Sequence, residues 1–77
     1  MRKLDTSGLY CPEPVMMLHE QINLMQVGER IEVIATDPST MKDFLRFCTF
    51  LGHEMIVNES DDQQYRYIIE KGNDEEE

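Results

Sequence analysis

The hydrophobic residues of this chain change their spacing from one segment to the next, and this order restricts the fold more than any other feature. Two segments, around Leu18 and Phe44, place apolar residues three and four positions apart, as an amphipathic helix does. The remaining segments alternate apolar and polar residues, as strands with one buried face do. The resulting order is β-α-β-α-β-β. The sequence therefore predicts an α/β (α+β) fold, a two-layer sandwich with two helices on one face of a four-stranded mixed sheet.

Turn and capping residues set the predicted element boundaries. The first helix is expected to begin at Pro12 or Glu13 and to end before Gly28. The second is expected to follow an Asp37 N-cap, with Pro38 in its first turn. The predicted strands cover residues 2–5, 30–36, 53–59 and 64–71. The first two strands are joined through a helix and are predicted to be parallel, whereas the last two are predicted to form a hairpin. Both faces of the last strand carry apolar residues, so the sequence pattern does not decide which of them is buried.

Both the body of the chain and its last residues are acidic. Seven Lys and Arg residues stand against sixteen Asp and Glu residues, for a net charge of −9, and residues 74–77 are all acidic. A protein that binds the phosphate backbone needs clustered Lys and Arg, so no direct nucleic-acid binding is expected. Since 77 residues support one small core, residues 1–72 are predicted to form a single domain. Residues 73–77 are predicted to be a disordered acidic tail.

No segment has the composition of a membrane span or a secretory signal. The longest strictly apolar run covers residues 15–18, far short of the roughly 20 residues that cross a bilayer. No apolar segment follows Arg2 and Lys3, as a secretory signal would require. We therefore expect a cytoplasmic protein whose thiols stay reduced. Cys11 and Cys48 are 37 positions apart, which fits neither a redox pair nor a zinc framework, and no cofactor or metal ion is expected.

Cys11 is the candidate reactive residue. It stands just before the first predicted helix, where unpaired N–H groups and the helix dipole favour a thiolate. We therefore expect a modestly lowered pKa for Cys11, with the nearby Glu13 carboxylate acting against it. Gly8, Pro12, Glu13 and Pro14 form the predicted supporting turn. The alternative is that Cys11 is a small buried core residue.

Several blocks of the sequence, in this order, resemble the pattern of the TusA (SirA-like) family of sulfur carriers over residues 4–72. They are Leu4-Asp5, Gly8-Leu9, Cys11-Pro12-Glu13-Pro14-Val15-Met16-Met17, Gly28-Glu29, Ala35-Thr36-Asp37-Pro38-Ser39-Thr40, Phe47-Cys48-Thr49-Phe50, Gly52-His53-Glu54 and Tyr65-Arg66-Tyr67. The chain departs from the pattern in the first helix, where His19 and Glu20 occupy usually basic positions. It departs again in the second helix, where Leu45-Arg46 stands in place of a proline.

The resemblance implies the same fold and a persulfide on Cys11. It implies a sulfurtransferase-type carrier rather than a stand-alone enzyme, one that works without a cofactor and is a monomer when free. A cysteine desulfurase supplies sulfur to such carriers, and downstream sulfur-relay proteins receive it. From TusA, the route leads to the 2-thio group of the wobble uridine in certain tRNAs.

The other candidate residues have simpler interpretations. Cys48 falls on the apolar stripe of the second helix and is predicted to be a core residue. His19 and His53, taken with the two cysteines, do not have the spacing of zinc ligands. Two other functions remain open at this point. One is a thiol redox regulator in which Cys11 is oxidised, and the other is a non-catalytic binding module.

Overall fold

The computed structural model describes residues 1–72, which contain two helices and four strands. In chain order they are β1 (Arg2–Thr6), α1 (Glu13–Asn23), β2 (Arg30–Ala35), α2 (Thr40–Leu51), β3 (Glu54–Asp61) and β4 (Gln64–Glu70). This order confirms the predicted β-α-β-α-β-β arrangement. The predicted acidic tail, residues 73–77, lies outside the described residues.

The four strands form one mixed sheet in the order β1-β2-β4-β3. β1 and β2 are parallel, as predicted for strands joined through a helix. β4 lies between β2 and β3 and is antiparallel to both, so the predicted hairpin of the last two strands is confirmed. The register places Leu4 opposite Val33, and Val33 opposite Tyr67. Strands β2 and β4 are therefore the central strands on which the helices pack.

Side chains from both helices and from the central strands form one continuous core. Its buried members are Leu18, Ile22, Met25, Ile31, Val33, Ala35, Phe44, Cys48, Tyr67 and Ile69. Because α1 and α2 contribute to the same cluster, both helices cover the same face of the sheet. The Phe44 and Tyr67 rings meet edge to face, with their centroids 4.8 Å apart. No helix of residues 1–72 is long and apolar enough to cross a membrane.

The register settles which face of β4 packs against the helices. Tyr67 and Ile69 lie opposite the buried residues Val33 and Ile31 of β2, so they face the helices. Ile68 points to the other face, and even there it is only 9% exposed. Both faces of β4 are therefore buried at its centre. This explains why the alternation in the sequence did not distinguish them.

Helix α1 is shorter than predicted. It ends at Asn23 rather than just before Gly28. The next two residues, Leu24 and Met25, donate backbone hydrogen bonds to the carbonyl groups three positions earlier, each at 3.0 Å. This spacing tightens the chain into a turn and ends the regular helix. Met25 is nevertheless buried in the core, with 4% of its surface exposed. It continues the apolar spacing of α1, and for this reason the predicted helix was too long.

Helix α2 begins later than predicted, and its buried stripe is narrower. Thr40 is its first residue, and Ser39 rather than Asp37 is the N-cap, so Pro38 lies before the helix. Its buried residues are Thr40, Phe44 and Cys48, which recur every four positions. Met41 and Leu45, two further apolar residues of the predicted stripe, are 41% and 52% exposed. The helix ends at Gly52, as predicted, with a left-handed φ of 81°.

Candidate functional site

Cys11 lies in the loop that connects β1 to α1, two residues before the helix begins. Its side chain is exposed, so the alternative of a core residue is wrong. The Cys11–Pro12 peptide bond is cis. A surface hollow of about 270 Å³ is lined by residues 8–13, which include three of the four predicted supporting residues. The fourth, Pro14, is buried in the first turn of α1.

Two consecutive residues after β2 hold this loop. The hydroxyl of Thr36 accepts a hydrogen bond from the backbone N–H of Gly8 at 2.8 Å. The Oδ2 atom of Asp37 accepts one from the backbone N–H of Cys11, also at 2.8 Å. Ser39 donates its hydroxyl to the same carboxylate oxygen and its N–H to the other. The carboxylate of Asp37 therefore joins the cysteine loop to the start of α2.

Acidic side chains control the ionisation of Cys11. The pKa of Cys11 is raised, chiefly because the thiol donates a hydrogen bond to the carboxylate of Asp43 in the first turn of α2. Partial desolvation and the negative charges of Asp43 and Asp37 raise the pKa further, while a hydrogen bond with Ser39 acts in the opposite direction. The predicted lowering of the Cys11 pKa is therefore wrong. The opposing carboxylates come from α2 and the segment before it, not from Glu13.

Asp37 stays ionised beside this thiol. Two backbone N–H groups, those of Ser39 and Cys11, hold the pKa of Asp37 below its usual value, and the Ser39 hydroxyl adds to this. Hydrogen bonds of this kind favour the charged form of a carboxylate. A negative charge is therefore a fixed part of the site, and the thiol is the favoured resting form of Cys11.

Cys48 differs from Cys11 in its burial and in the cause of its raised pKa. It lies on α2 and is only 2% exposed, which confirms the predicted core position. Burial alone raises its pKa to about 11. Because the thiolate is the nucleophilic form of cysteine, a buried thiol with this pKa is inert near neutral pH. Cys11 is therefore the thiol that this protein presents to solvent.

The two histidines lie away from the cysteine loop. The ring of His19 meets the edge of Phe47, with the centroids 5.6 Å apart. His53 is buried and accepts a hydrogen bond on Nδ1 from the backbone N–H of Gly72 at 2.9 Å. Within residues 1–72, no three His, Cys, Asp or Glu side chains lie close enough together to hold a metal ion.

Sequence reasoning missed several residues of the site, among them Asp37, which was predicted only to be an N-cap. Thr36 and Asp43 are 25 and 32 positions from Cys11, and nothing in this spacing places them beside it. Tyr10, next to Cys11, is 69% exposed. An aromatic residue beside a loop cysteine could have been noted from the sequence. The contacts of Thr36 and Asp43 depend on how β2 and α2 lie against the loop.

Fold and site together define a small two-layer α/β domain that presents one exposed cysteine on a tethered loop. Residues 2–71 match the family model described as sulfurtransferase TusA. The chain is 47% identical over 72 residues to sulfur carrier protein TusA of Pseudomonas syringae pv. syringae (strain B728a), and the match covers 94% of this chain and 86% of that protein. The chain therefore belongs to the TusA family of sulfur carriers.

A solved structure shares the fold. The crystal structure of the SirA-like protein from Desulfitobacterium hafniense matches with a TM-score of 0.80. The match covers 95% of this chain and 100% of that one, at 20% sequence identity. The arrangement of two helices on a four-stranded mixed sheet is therefore that of a SirA-like protein.

Proposed function

We propose that this protein carries sulfane sulfur as a persulfide on Cys11. The observation that carries the proposal is the contrast between its two cysteines, one exposed on a tethered loop and one buried in the core. The family supports it, since the relative from Pseudomonas syringae is named a sulfur carrier. Such a carrier needs one accessible sulfur atom and no enclosed active site.

The loading step that we propose is an exchange at sulfur. The thiolate of Cys11 attacks the outer sulfur of a persulfide on the donor. A new S–S bond forms on Cys11 as the old S–S bond breaks. The electron pair of the broken bond leaves with the donor cysteine as its thiolate, and any proton on the transferred sulfur stays there. There is no net oxidation or reduction, so the step needs neither a metal nor an external oxidant.

A cysteine desulfurase is the sulfur donor in this proposal, and a downstream relay protein is the acceptor. A small domain can serve both, because the exposed Cys11 is open to a partner from the solvent side. We place the relay in the cytoplasm, where thiols stay reduced, and toward 2-thiolation of the tRNA wobble uridine. The acidic composition supports delivery through proteins rather than through direct contact with RNA.

The turn around Cys11 has a structural role in this proposal. Gly8 has a left-handed φ of 82°, a conformation that other residues adopt only with strain. Pro12 is the N-cap of α1, Glu13 and Pro14 are its first two residues, and Pro14 is buried. We propose that these four residues shape the loop and that Cys11 alone carries the sulfur.

The test of the proposed function is an intact-mass measurement. The full chain is incubated with a purified cysteine desulfurase and L-cysteine, and its mass is recorded with and without a reducing agent. We expect one added sulfur atom that the reductant removes, and peptide mapping is expected to locate it at Cys11. A chain that gains no sulfur, or gains it elsewhere, would refute the proposal.

We also propose that residues 1–72 are the complete folded domain and that residues 73–77 lie outside it. The last described element is β4, which ends at Glu70. The next residue, Lys71, donates its backbone N–H to the carbonyl of Glu29 at 2.9 Å. Deleting residues 73–77 removes four carboxylates and no apolar side chain. The thermal midpoint of the shortened chain is expected to equal or slightly exceed that of the full chain, and a large fall would contradict this division.

A further inference from the structure

Thr36 is joined to the cysteine loop by a hydrogen bond that spans 28 positions of the sequence. Its hydroxyl accepts the N–H of Gly8, and the next residue, Asp37, accepts the N–H of Cys11. We propose that Thr36 is a positioning residue for sulfur transfer, which together with Asp37 fixes the two ends of the Gly8–Cys11 segment. This inference rests on the proposed function of Cys11 as the sulfur carrier.

The cysteine loop has few other bonds that fix it to the body of the protein. Its remaining backbone hydrogen bonds are local and join residues two to four positions apart, such as those from Leu9 to Thr6 at 3.1 Å and from Glu13 to Tyr10 at 2.9 Å. Local bonds of this kind shape a turn but do not hold it against another element. The bonds to Thr36 and Asp37 instead join the loop to the two residues that follow β2, which lie 28 and 26 positions later in the sequence than Gly8 and Cys11. They therefore fix where Cys11 sits relative to the sheet.

The residues that provide these acceptors are themselves held rigidly. Thr36 follows Ala35, which is fully buried and paired with Thr6 of β1. The hydroxyl of Thr6 also donates to the carbonyl of Ile34 at 2.9 Å. On the other side, the carbonyl of Asp37 accepts the buried hydroxyl of Thr40 at 2.8 Å. The loop is thus anchored to the end of the parallel β1–β2 pair.

Because the loop is exposed, loss of the Thr36 hydrogen bond is expected to affect the rate of sulfur transfer more than the stability of the fold. Gly8 and Cys11 are exposed, so losing the Thr36 bond leaves no buried group unpaired and costs no more than one ordinary hydrogen bond, too little to unfold the chain. Transfer between two proteins is more demanding, because a displacement of about 1 Å between reacting atoms can lower a rate by about 100-fold. Loss of the Thr36 hydroxyl is therefore expected to slow transfer from a docked protein without unfolding the chain.

The experiment compares three variants of the full chain with the wild type. Thr36→Val keeps the shape of the side chain and removes the acceptor, whereas Thr36→Ser keeps the hydroxyl. Thr49→Val makes the same chemical change at an exposed position of α2. Single-turnover loading is measured at increasing concentrations of persulfidated cysteine desulfurase, which separates apparent affinity from the rate at saturation. Glutathione persulfide serves as a second donor that does not dock.

We expect Thr36→Val to lower the saturating rate from the desulfurase by about five-fold, the effect of losing one hydrogen bond of ordinary strength. The apparent affinity is expected to stay unchanged, as is loading from glutathione persulfide. Thr36→Ser is expected to restore the rate, and Thr49→Val to match the wild type. Amide hydrogen exchange is expected to accelerate at Gly8 in Thr36→Val only.

The outcomes distinguish this inference from the function on which it rests. If the wild type gains no sulfur, the proposed function fails and the role of Thr36 fails with it. If the wild type is loaded and Thr36→Val matches it, only the positioning role is refuted. An equal loss in Thr36→Val and Thr36→Ser would also refute it, because the hydroxyl would then not be the group responsible.

Discussion

The carboxylate of Asp37 accepts a hydrogen bond from the backbone N–H of Cys11 at 2.8 Å, across 26 positions of the sequence. This bond fixes the backbone of the cysteine and leaves its sulfur atom exposed. It also places a negative charge beside the thiol, and with Asp43 this charge raises the pKa of Cys11. The site thus combines a fixed position with a thiol that is protonated at rest. In the loading step proposed above, a proton must leave Cys11 before its sulfur can attack a persulfide.

Replacing Asp43 by Asn is expected to lower the pKa of Cys11. The hydrogen bond to Asp43 is the largest cause of the raised pKa, and the charge of Asp43 adds to it. Without the carboxylate, more of the thiol is ionised at a given pH below its pKa, so alkylation at pH 7 is expected to become faster. The measurement is the pH dependence of the alkylation rate of Cys11, followed by intact mass.

Two control variants make this test specific. Asp62→Asn removes an acidic side chain from the β3–β4 turn and is expected to leave the alkylation profile unchanged. Glu13→Gln is expected to change it less than Asp43→Asn does, because Glu13 is not among the causes of the raised pKa. Equal shifts in the three variants would show that total charge, rather than the contact with Asp43, controls the thiol.

A sulfur-loading assay is expected to distinguish the roles of the two cysteines. Cys11→Ser removes the only exposed thiol and is expected to abolish sulfur loading, since a hydroxyl does not ionise near neutral pH. Cys48→Ser is expected to load sulfur normally, although a hydroxyl in this core position costs ~1–3 kcal/mol if it finds no partner. Circular dichroism is recorded to show that both variants are folded. Equal loss of loading in two folded variants would contradict the assignment of the carrier thiol.

The fold was predictable because local patterns and tertiary packing agree in most elements. The alternation of Ile31, Val33 and Ala35 coincides with the buried face of β2. The exceptions occur where the patterns were ambiguous. Met25 packs into the core from a turn, and Ile68 is buried on the face of the sheet away from the helices. In each case an apolar residue is buried through contacts that its neighbours in the sequence do not reveal.

The exposed position of Cys11 before α1 was predictable, but its electrostatic environment was not. Cys11 stands before a helix, and that position alone suggests a lowered pKa. The contribution of a helix dipole is small, about 0.3–1 kcal/mol near a surface, and nearby carboxylates easily outweigh it. Asp37 and Asp43 reach Cys11 only because α2 begins beside α1 in the folded protein. A local argument about one loop did not include a charge delivered by another element.

Glu32 links the stability of the sheet to pH. It lies in β2 and forms ion pairs with Arg66 of β4 and Lys3 of β1. The hydrogen bond from Arg66 is the largest cause that lowers the pKa of Glu32. A carboxyl whose pKa is lower in the folded state stabilises the fold above its unfolded pKa, about 4.3 for a glutamate. That contribution is lost as the pH falls through the lower, folded value.

Glu32→Gln is therefore expected to unfold more easily than the wild type at pH 7, with a difference that shrinks as the solution is acidified. Urea unfolding at several pH values between neutral and strongly acidic measures this. Glu20→Gln, at an exposed position of α1, is the matched control and is expected to behave like the wild type at pH 7. A difference that persists at the lowest pH would mean that Glu32 acts by packing rather than by charge.

A buried pair of hydroxyl groups connects the sheet to the start of α2. The Thr40 and Tyr67 hydroxyl oxygens are 2.9 Å apart, and Thr40 also donates to the carbonyl of Asp37 at 2.8 Å. Since Thr40 uses its proton for Asp37, Tyr67 is the donor within the pair. Tyr67→Phe removes one hydrogen bond and is expected to cost about 0.5–1.5 kcal/mol. Thr40→Val leaves the fully buried Tyr67 hydroxyl without this partner and is expected to cost more.

The double variant tests this assignment most sharply. In the wild-type background Tyr67→Phe is expected to destabilise the protein, but in the Thr40→Val background it is expected to be neutral or stabilising. In that background the Tyr67 hydroxyl has already lost its Thr40 partner, so Tyr67→Phe removes a buried hydroxyl without breaking this hydrogen bond. Urea unfolding of the four proteins gives the coupling free energy directly, with Thr49→Val as an exposed control. Equal costs of Tyr67→Phe in both backgrounds would show that the two hydroxyls are not coupled.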